Sequence, residues 1–195
     1  MYMETNIPIE HLFENVFNKL SRPDFGESLG GELPLFIQPI NPARQLESET
    51  EITHLVKRLN NKGISTVRVN LYDLIIEILT EDGILETLLS DEKELDRDEV
   101  IIPTLESVLD VPTKMLPPIQ NMINESHPDY LIISGVGNAY PFVRSHNILN
   151  NIDSLAKETK IVLFFPGDYN NLQLKLFGRL PDENYYRGLN INDIK

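Results

Sequence analysis

Residues 160–165 read KIVLFF, five apolar side chains in a row behind one lysine. A run this short cannot be a buried helix, and its β-branched and aromatic residues favour a strand. A strand that is apolar at every position has both faces covered, as in a parallel sheet with helices on each side. Two other runs share this character, LPLFIQPI at 33–40 and DYLIIS at 129–134. A fourth, ISTVRVNL at 64–71, alternates Val67, Val69 and Leu71 with Arg68 and Asn70. Its polar face predicts a strand nearer the edge.

Helical patterns separate these runs. In IEHLFENVFNKL, Ile9, Leu12, Phe13, Val16, Phe17 and Leu20 form one stripe. SRPDFGESLGGE follows as a loop broken by Pro23, Gly26, Gly30 and Gly31. After NPAR a helix runs to about Asn60, with Ile52, Leu55, Val56 and Leu59 inward and Gly63 as its stop. Residues 72–128 read as a helical insertion between the second and third strands. Its last helix carries Met115, Leu116, Ile119, Met122 and Ile123, with Pro117 and Pro118 in the first turn. DEKELDRDE, 91–99, is its solvated connection. Ser145 is placed to cap a helix bearing Ile148, Leu149, Ile152 and Leu155. PGDYNN turns the chain, and LQLKLFG and YYRGLNI are extended segments that could pair as an edge hairpin.

This rhythm predicts one α/β domain over 1–195. It is a three-layer, Rossmann-like or flavodoxin-like, mostly parallel sheet with right-handed crossovers. The chain has 195 residues, 41% hydrophobic and 24% charged, which suits a single folded domain. No apolar run approaches the roughly 18 residues that span a bilayer. The first residues lack the basic and apolar regions of a signal peptide. There is no cysteine, hence no disulfide framework or thiolate metal site. A cytoplasmic protein is the expectation. The net charge of −13 works against free binding to DNA or RNA.

Ligands of open α/β sheets sit beyond the carboxyl ends of the strands. Those ends carry Gln38, Asn41 and Arg44, then Asn70 and Asp73, then Gly135, Gly137, Asn138, Arg144 and His146, then Gly167, Asp168 and Tyr169. GVGNAY, 135–140, begins like a dinucleotide fingerprint but has Tyr140 in place of the third glycine. Pro141 also delays the helix, so a strand-exit turn using glycine dihedrals is the preferred reading. Ser145 and His146 are sequence neighbours whose side chains diverge, and no nucleophile elbow is present. His11, His54, His127 and His146 show no helical metal-ligand spacing. Asp96 and Asp98 lack the glycine of a calcium loop. Arg144 and His146 flank a helix N-terminus, where an anion would offset their charge. Asp168 is the expected partner, as a structural Arg144–Asp168 ion pair or as part of a ligand cleft.

GVGNAYPFVRSHNILNN at 135–151 and VLFFPGDYNNLQLKLFGRLPDENYYRGLNI at 162–191 resemble the BrxB family of BREX phage-defence systems. LPLFIQPINP and VNLYDL are similar to that family too, so the resemblance reaches from about 33 to 191. Gly135, Gly137, Tyr140, Pro141, Arg144, Ser145, His146, Asn150, Pro166, Gly167, Tyr169, Gly178, Tyr185, Tyr186 and Arg187 fall in its motifs. GLNI after NYYR departs from it, since relatives are more aromatic there. The resemblance implies a small cytoplasmic protein encoded beside a PglZ-like phosphatase, a large ATPase and a DNA methyltransferase. It supplies no catalytic residues to carry over, and the motifs themselves lead to the expectation of no metal and no cofactor.

Three functions follow. The leading one is a non-enzymatic adaptor that binds other BREX proteins, especially the PglZ-like phosphatase. Its surface would use Tyr140, Arg144, Tyr185, Tyr186 and Arg187, since Tyr and Arg are enriched at interface hot spots. The alternative is a nucleotide- or nucleic-acid-processing enzyme. There Arg144 would bind phosphate, His146 would move a proton and Asp168 would orient it. The third, a DNA-contacting module, needs a basic face that the net charge does not announce.

Overall fold

The computed structural model describes residues 8–26, 35–91, 95–151, 155, 159–170, 172–182, 184, 186 and 188–194. The four apolar runs form strands β1 (Leu35–Ile40), β2 (Thr66–Asn70), β3 (Tyr130–Ser134) and β4 (Lys160–Tyr169). Short strands β5 (Leu174–Leu176), β6 (Leu180–Pro181) and β7 (Leu189–Asn190) follow. The main path is β2-β3-β4-β1-β7, and every pairing along it is parallel. As its half-polar pattern predicts, β2 lies at the edge.

Alternation along the central strands divides the core in two. Phe36, Ile40, Tyr130, Ile132, Val162 and Phe164 face one side. There they meet Phe13 and Leu20 of α1 (Ile9–Leu20) and Ile52, Leu55 and Leu59 of α2 (Gln45–Asn61). Phe13 stacks on Phe164 with ring centroids 5.4 Å apart. The buried Tyr130 hydroxyl donates to the Leu20 carbonyl at 3.0 Å, which fastens the end of α1 to the sheet. Leu35, Ile37, Leu131, Ile133, Ile161, Leu163 and Phe165 face the other side. That side is covered by α3 (Leu71–Glu81), α4 (Ile84–Asp91), α5 (Ile102–Val108), α6 (Leu116–Ser126), α7 (Val136–Ala139) and α8 (Ser145–Leu149). The result is the three-layer, mostly parallel α/β sheet of the Rossmann-like kind.

Helix ends follow the local chemistry. Gly63, at φ +83°, closes α2. Its N–H bonds the Asn60 carbonyl and that of Ile64 bonds Leu59, so two end carbonyls are satisfied. Pro117 and Pro118 sit in the first turn of α6, where a missing N–H costs nothing. Within 91–99, residues 92–94 lie outside the described part, and the exposed Asp96 caps the next turn through Asp98 and Glu99.

Two expectations are corrected. LQLKLFG and YYRGLNI form no strand ladder with each other among the described residues; one backbone bond, from the Tyr186 N–H to the Leu172 carbonyl at 3.0 Å, joins them. β5 pairs antiparallel with the end of β4 and with β6, whereas β7 adds to the opposite side of the sheet beside β1. β4 has ten residues, so its last three project past the parallel sheet and offer β5 a nearer edge. Phe177 and Gly178, at φ +54° and +65°, then turn the chain tightly into β6. Nor does Ser145 cap a helix. Arg144 is the N-cap residue, without a side-chain capping bond, and Ser145 is the first helical residue. Of the apolar residues expected along that helix, Ile148, Leu149 and Leu155 are buried. Ile152 lies outside the described residues.

Candidate functional site

The turn after β3 is set by Gly135, at φ +75°, and α7 begins at the very next residue. Gly137 lies inside α7 without an unusual dihedral. Its missing side chain matters for packing, because a Cβ there would come within 3.0 Å of Pro166 Cγ and 2.9 Å of Phe177 Cε1. Asn138 is exposed. The Gly135 N–H, the donor a phosphate would need first, is already engaged by the Glu49 carboxylate of α2 at 3.2 Å.

The chain leaves α7 through Tyr140 and brings Arg144, Ser145 and His146 to the carboxyl end of the sheet. Asp168 does not join them. In the β4–β5 ladder Asp168 is opposite Lys175, while its neighbour Tyr169 packs into the core with Leu174 and Leu176. Side chains alternate between faces, so Asp168 points away from the side that carries α8. The expected Arg144–Asp168 ion pair is not formed. Arg144 is exposed and has no side-chain hydrogen bond or ion pair among the described residues.

The anion that reaches this place is Asp182, beside the end of β6. Its Oδ2 accepts from the Tyr186 hydroxyl at 2.7 Å and from Ser145 Oγ at 3.3 Å. His146 Nδ1 lies 3.9 Å from the same oxygen. Oδ1 accepts from the Asn184 backbone and side chain at 3.1 and 2.9 Å. Only 9% of the Asp182 side chain is exposed. Burial works to raise its pKa, but the Tyr186 and Asn184 hydrogen bonds and nearby His146 outweigh it and hold the carboxyl below its ordinary range. Burial and the adjacent carboxylate push the Tyr186 hydroxyl well above its ordinary range.

This geometry does not build a nucleophile. The Ser145 hydroxyl donates its hydrogen bond to Asp182 rather than to His146, and the carboxylate is occupied by structural donors. It also corrects two surface assignments. Tyr186 is 6% exposed and Tyr169 7%, so both belong to the core. The Tyr169 hydroxyl donates to the Gly188 carbonyl at 2.8 Å. Tyr185 and Arg187 lie outside the described residues. Asp182 had no local signal of its role. In LPDEN it reads as a turn former, and Ser145, His146 and Tyr186 meet it only through the fold.

A depressed carboxyl pKa stabilises the fold above its unfolded value, near 3.8, and that contribution is lost as pH falls through the folded value. Asp182→Ala should therefore cost about 1–3 kcal/mol at neutral pH, chiefly by removing the ionised acceptor that the Tyr186 and Asn184 donors favour. The gap from the parent should narrow below about pH 3.8. Urea unfolding at pH 7 and pH 3 measures this, and a pH-independent gap would show that the carboxylate is not the cause.

Two depressions flank Arg144 and His146. One, of about 550 Å³, lies against Glu106, Asp110 and Pro112 of the insertion and Asn147, Asn150 and Asn151. The other, of about 340 Å³, is lined by Tyr140, Phe165, Leu176, Leu180, Pro181 and Asp182. Seven large apolar side chains are exposed among the described residues. Two of them, Tyr140 and Leu180, line the second depression beside Arg144. Among the described residues no acidic or histidine cluster is arranged to hold a metal, and no helix is long and apolar enough to cross a membrane.

Fold and site together define a parallel α/β domain with a depression beside Arg144 that the exposed Tyr140 and Leu180 border. The family profile for BREX protein BrxB matches residues 67–191. A BREX protein BrxB of Bacillus cereus (strain H3081.97) is 30% identical over 189 residues, covering 95% of this chain and 98% of the relative. Another, of Escherichia coli O9:H4 (strain HS), is 23% identical over 188 residues, covering 94% and 91%. No solved structure gives a significant match. The chain belongs to the BrxB family, and its role lies in a BREX phage-defence system.

Proposed function

We propose that the protein is a non-enzymatic adaptor of its BREX assembly, holding the PglZ-like phosphatase through the rim beyond the carboxyl ends of the sheet. One observation supports this most. The exposed Tyr140 and Leu180 border the same depression as Arg144, an arginine with no intramolecular partner among the described residues. Exposed apolar surface in one place is a mark of docking, and arginine beside tyrosine is a frequent centre of binding energy. Such an adaptor works in the cytoplasm with its partners. Its acidic average, at −13, favours a protein rather than a nucleic acid as the direct contact. The enzymatic alternative loses support because Asp168 points away from Arg144 and His146.

Co-expression with the PglZ-like protein and affinity capture tests the proposal. Arg144→Glu and Tyr140→Ala should each weaken capture by about tenfold or more, a loss of at least about 1.4 kcal/mol. Both residues are exposed, so thermal midpoints should stay within about 2 °C of the parent, as surface changes usually do. Undiminished capture by both variants would remove this rim from consideration.

A further inference from the structure

Four donors converge on the Glu49 carboxylate where β2 and β3 end. Arg68 Nη2 and Asn70 Nδ2 come from β2; Ser134 Oγ and the Gly135 N–H come from the end of β3. The Asn70, Ser134 and Gly135 contacts are 3.1, 3.0 and 3.2 Å. Asn70 and Ser134 are direct neighbours across the parallel ladder. Thr53 accepts from the remaining arm of the Arg68 guanidinium at 2.6 Å. The Glu49 and Arg68 side chains are only 20% and 21% exposed. A simple surface ion pair needs two side chains and recruits neither a backbone amide nor a hydroxyl. Here one cation and three neutral donors are complete before Glu49 is counted, and they stand where open α/β sheets place their ligands. A cation with convergent amide and hydroxyl donors is the chemistry that holds carboxylates and phosphates.

We infer that the carboxyl edge of β2 and β3 is an oxyanion site that the chain fills with its own Glu49. The α2 helix supplies the anion in cis, so the site is closed to an outside ligand in the parent protein. This inference is independent of the adaptor reading. Truncating Glu49 to alanine removes a CH2–COO⁻ group, the heavy atoms of acetate, and opens the cradle to that ion.

The test is thermal unfolding of the whole chain with sodium acetate, sodium phosphate or sodium chloride at matched ionic strength. Glu49→Ala should melt roughly 4–10 °C below the parent, because Arg68 is left without its counter-charge. Acetate, or phosphate if the cradle is wide enough, should recover a few degrees of that loss in a saturable way, and chloride should not. The parent should not respond, nor should Glu49→Gln, whose amide still fills the space. If Glu49→Ala folds only poorly, refolding yield in acetate against chloride gives the same reading. The inference fails if Glu49→Ala melts like the parent, if no oxyanion outperforms chloride, or if Glu49→Gln is rescued equally.

Discussion

Phe164→Ala is expected to lower folding stability by about 3–5 kcal/mol, the usual cost of emptying an aromatic site in a closed core. Phe164 is 1% exposed, sits at the centre of β4 and stacks flat on Phe13 of α1. β4 is bordered by β1 and β3, so the surrounding strands cannot collapse into the gap. The midpoint of thermal unfolding should fall by roughly 6–20 °C. The loss should be measured by urea titration with both far-ultraviolet circular dichroism and tyrosine fluorescence. A change below about 1 kcal/mol would mean that α1 does not rest on this strand, since ordinary surface substitutions lie within that range.

Gly135→Ala should cost about 2–3 kcal/mol, although it adds a single methyl group. A left-handed dihedral costs a residue with a Cβ about 1–2 kcal/mol. The new Cβ would also lie 2.1 Å from Asn70 Oδ1, so Asn70 must move. That oxygen caps α3 through the Tyr72 N–H at 2.9 Å, and losing a cap costs about 1 kcal/mol. Gly63→Ala is the control. Gly63 also has a positive φ, but a Cβ there meets nothing within 4 Å. Only the dihedral term, about 1–2 kcal/mol, should remain. Equal losses at the two positions in chemical denaturation would refute the steric part of this account.

The elements visible in the sequence are those whose signal is local. Ile161 to Phe165 are apolar at consecutive positions because helices cover both faces of β4, and a short apolar run announces that without knowing its neighbours. Val67 and Val69 alternating with Arg68 and Asn70 announced an edge strand in the same way. Gly63 ended α2 through a motif confined to six residues. The misplacements concern pairing over distance. LQLKLFG was legible as extended, but which strand it meets depends on how far β4 projects past the sheet. In the sequence Asp168 reads as a partner of Arg144 because each comes shortly after an apolar run, although Asp168 is still within β4. The face it points to depends on the register with Lys175, which no single segment encodes. Glu49 is one of several acids along α2, and its partners Arg68, Asn70 and Ser134 are drawn together only when α2 crosses back over β2 and β3. Arg68 and Asn70, polar residues on a strand against a helix layer, were the available hint that something must satisfy them.

The strand order bears on how the molecule is made. β4 fills the place between β1 and β3 and pairs with both, yet it leaves the ribosome after either of them. Until then β1 has no strand to pair with in the growing polypeptide, and its backbone must wait through the synthesis of the whole insertion. Assembly of the centre is therefore a late event in translation, governed by long-range loop closure rather than by local helix formation.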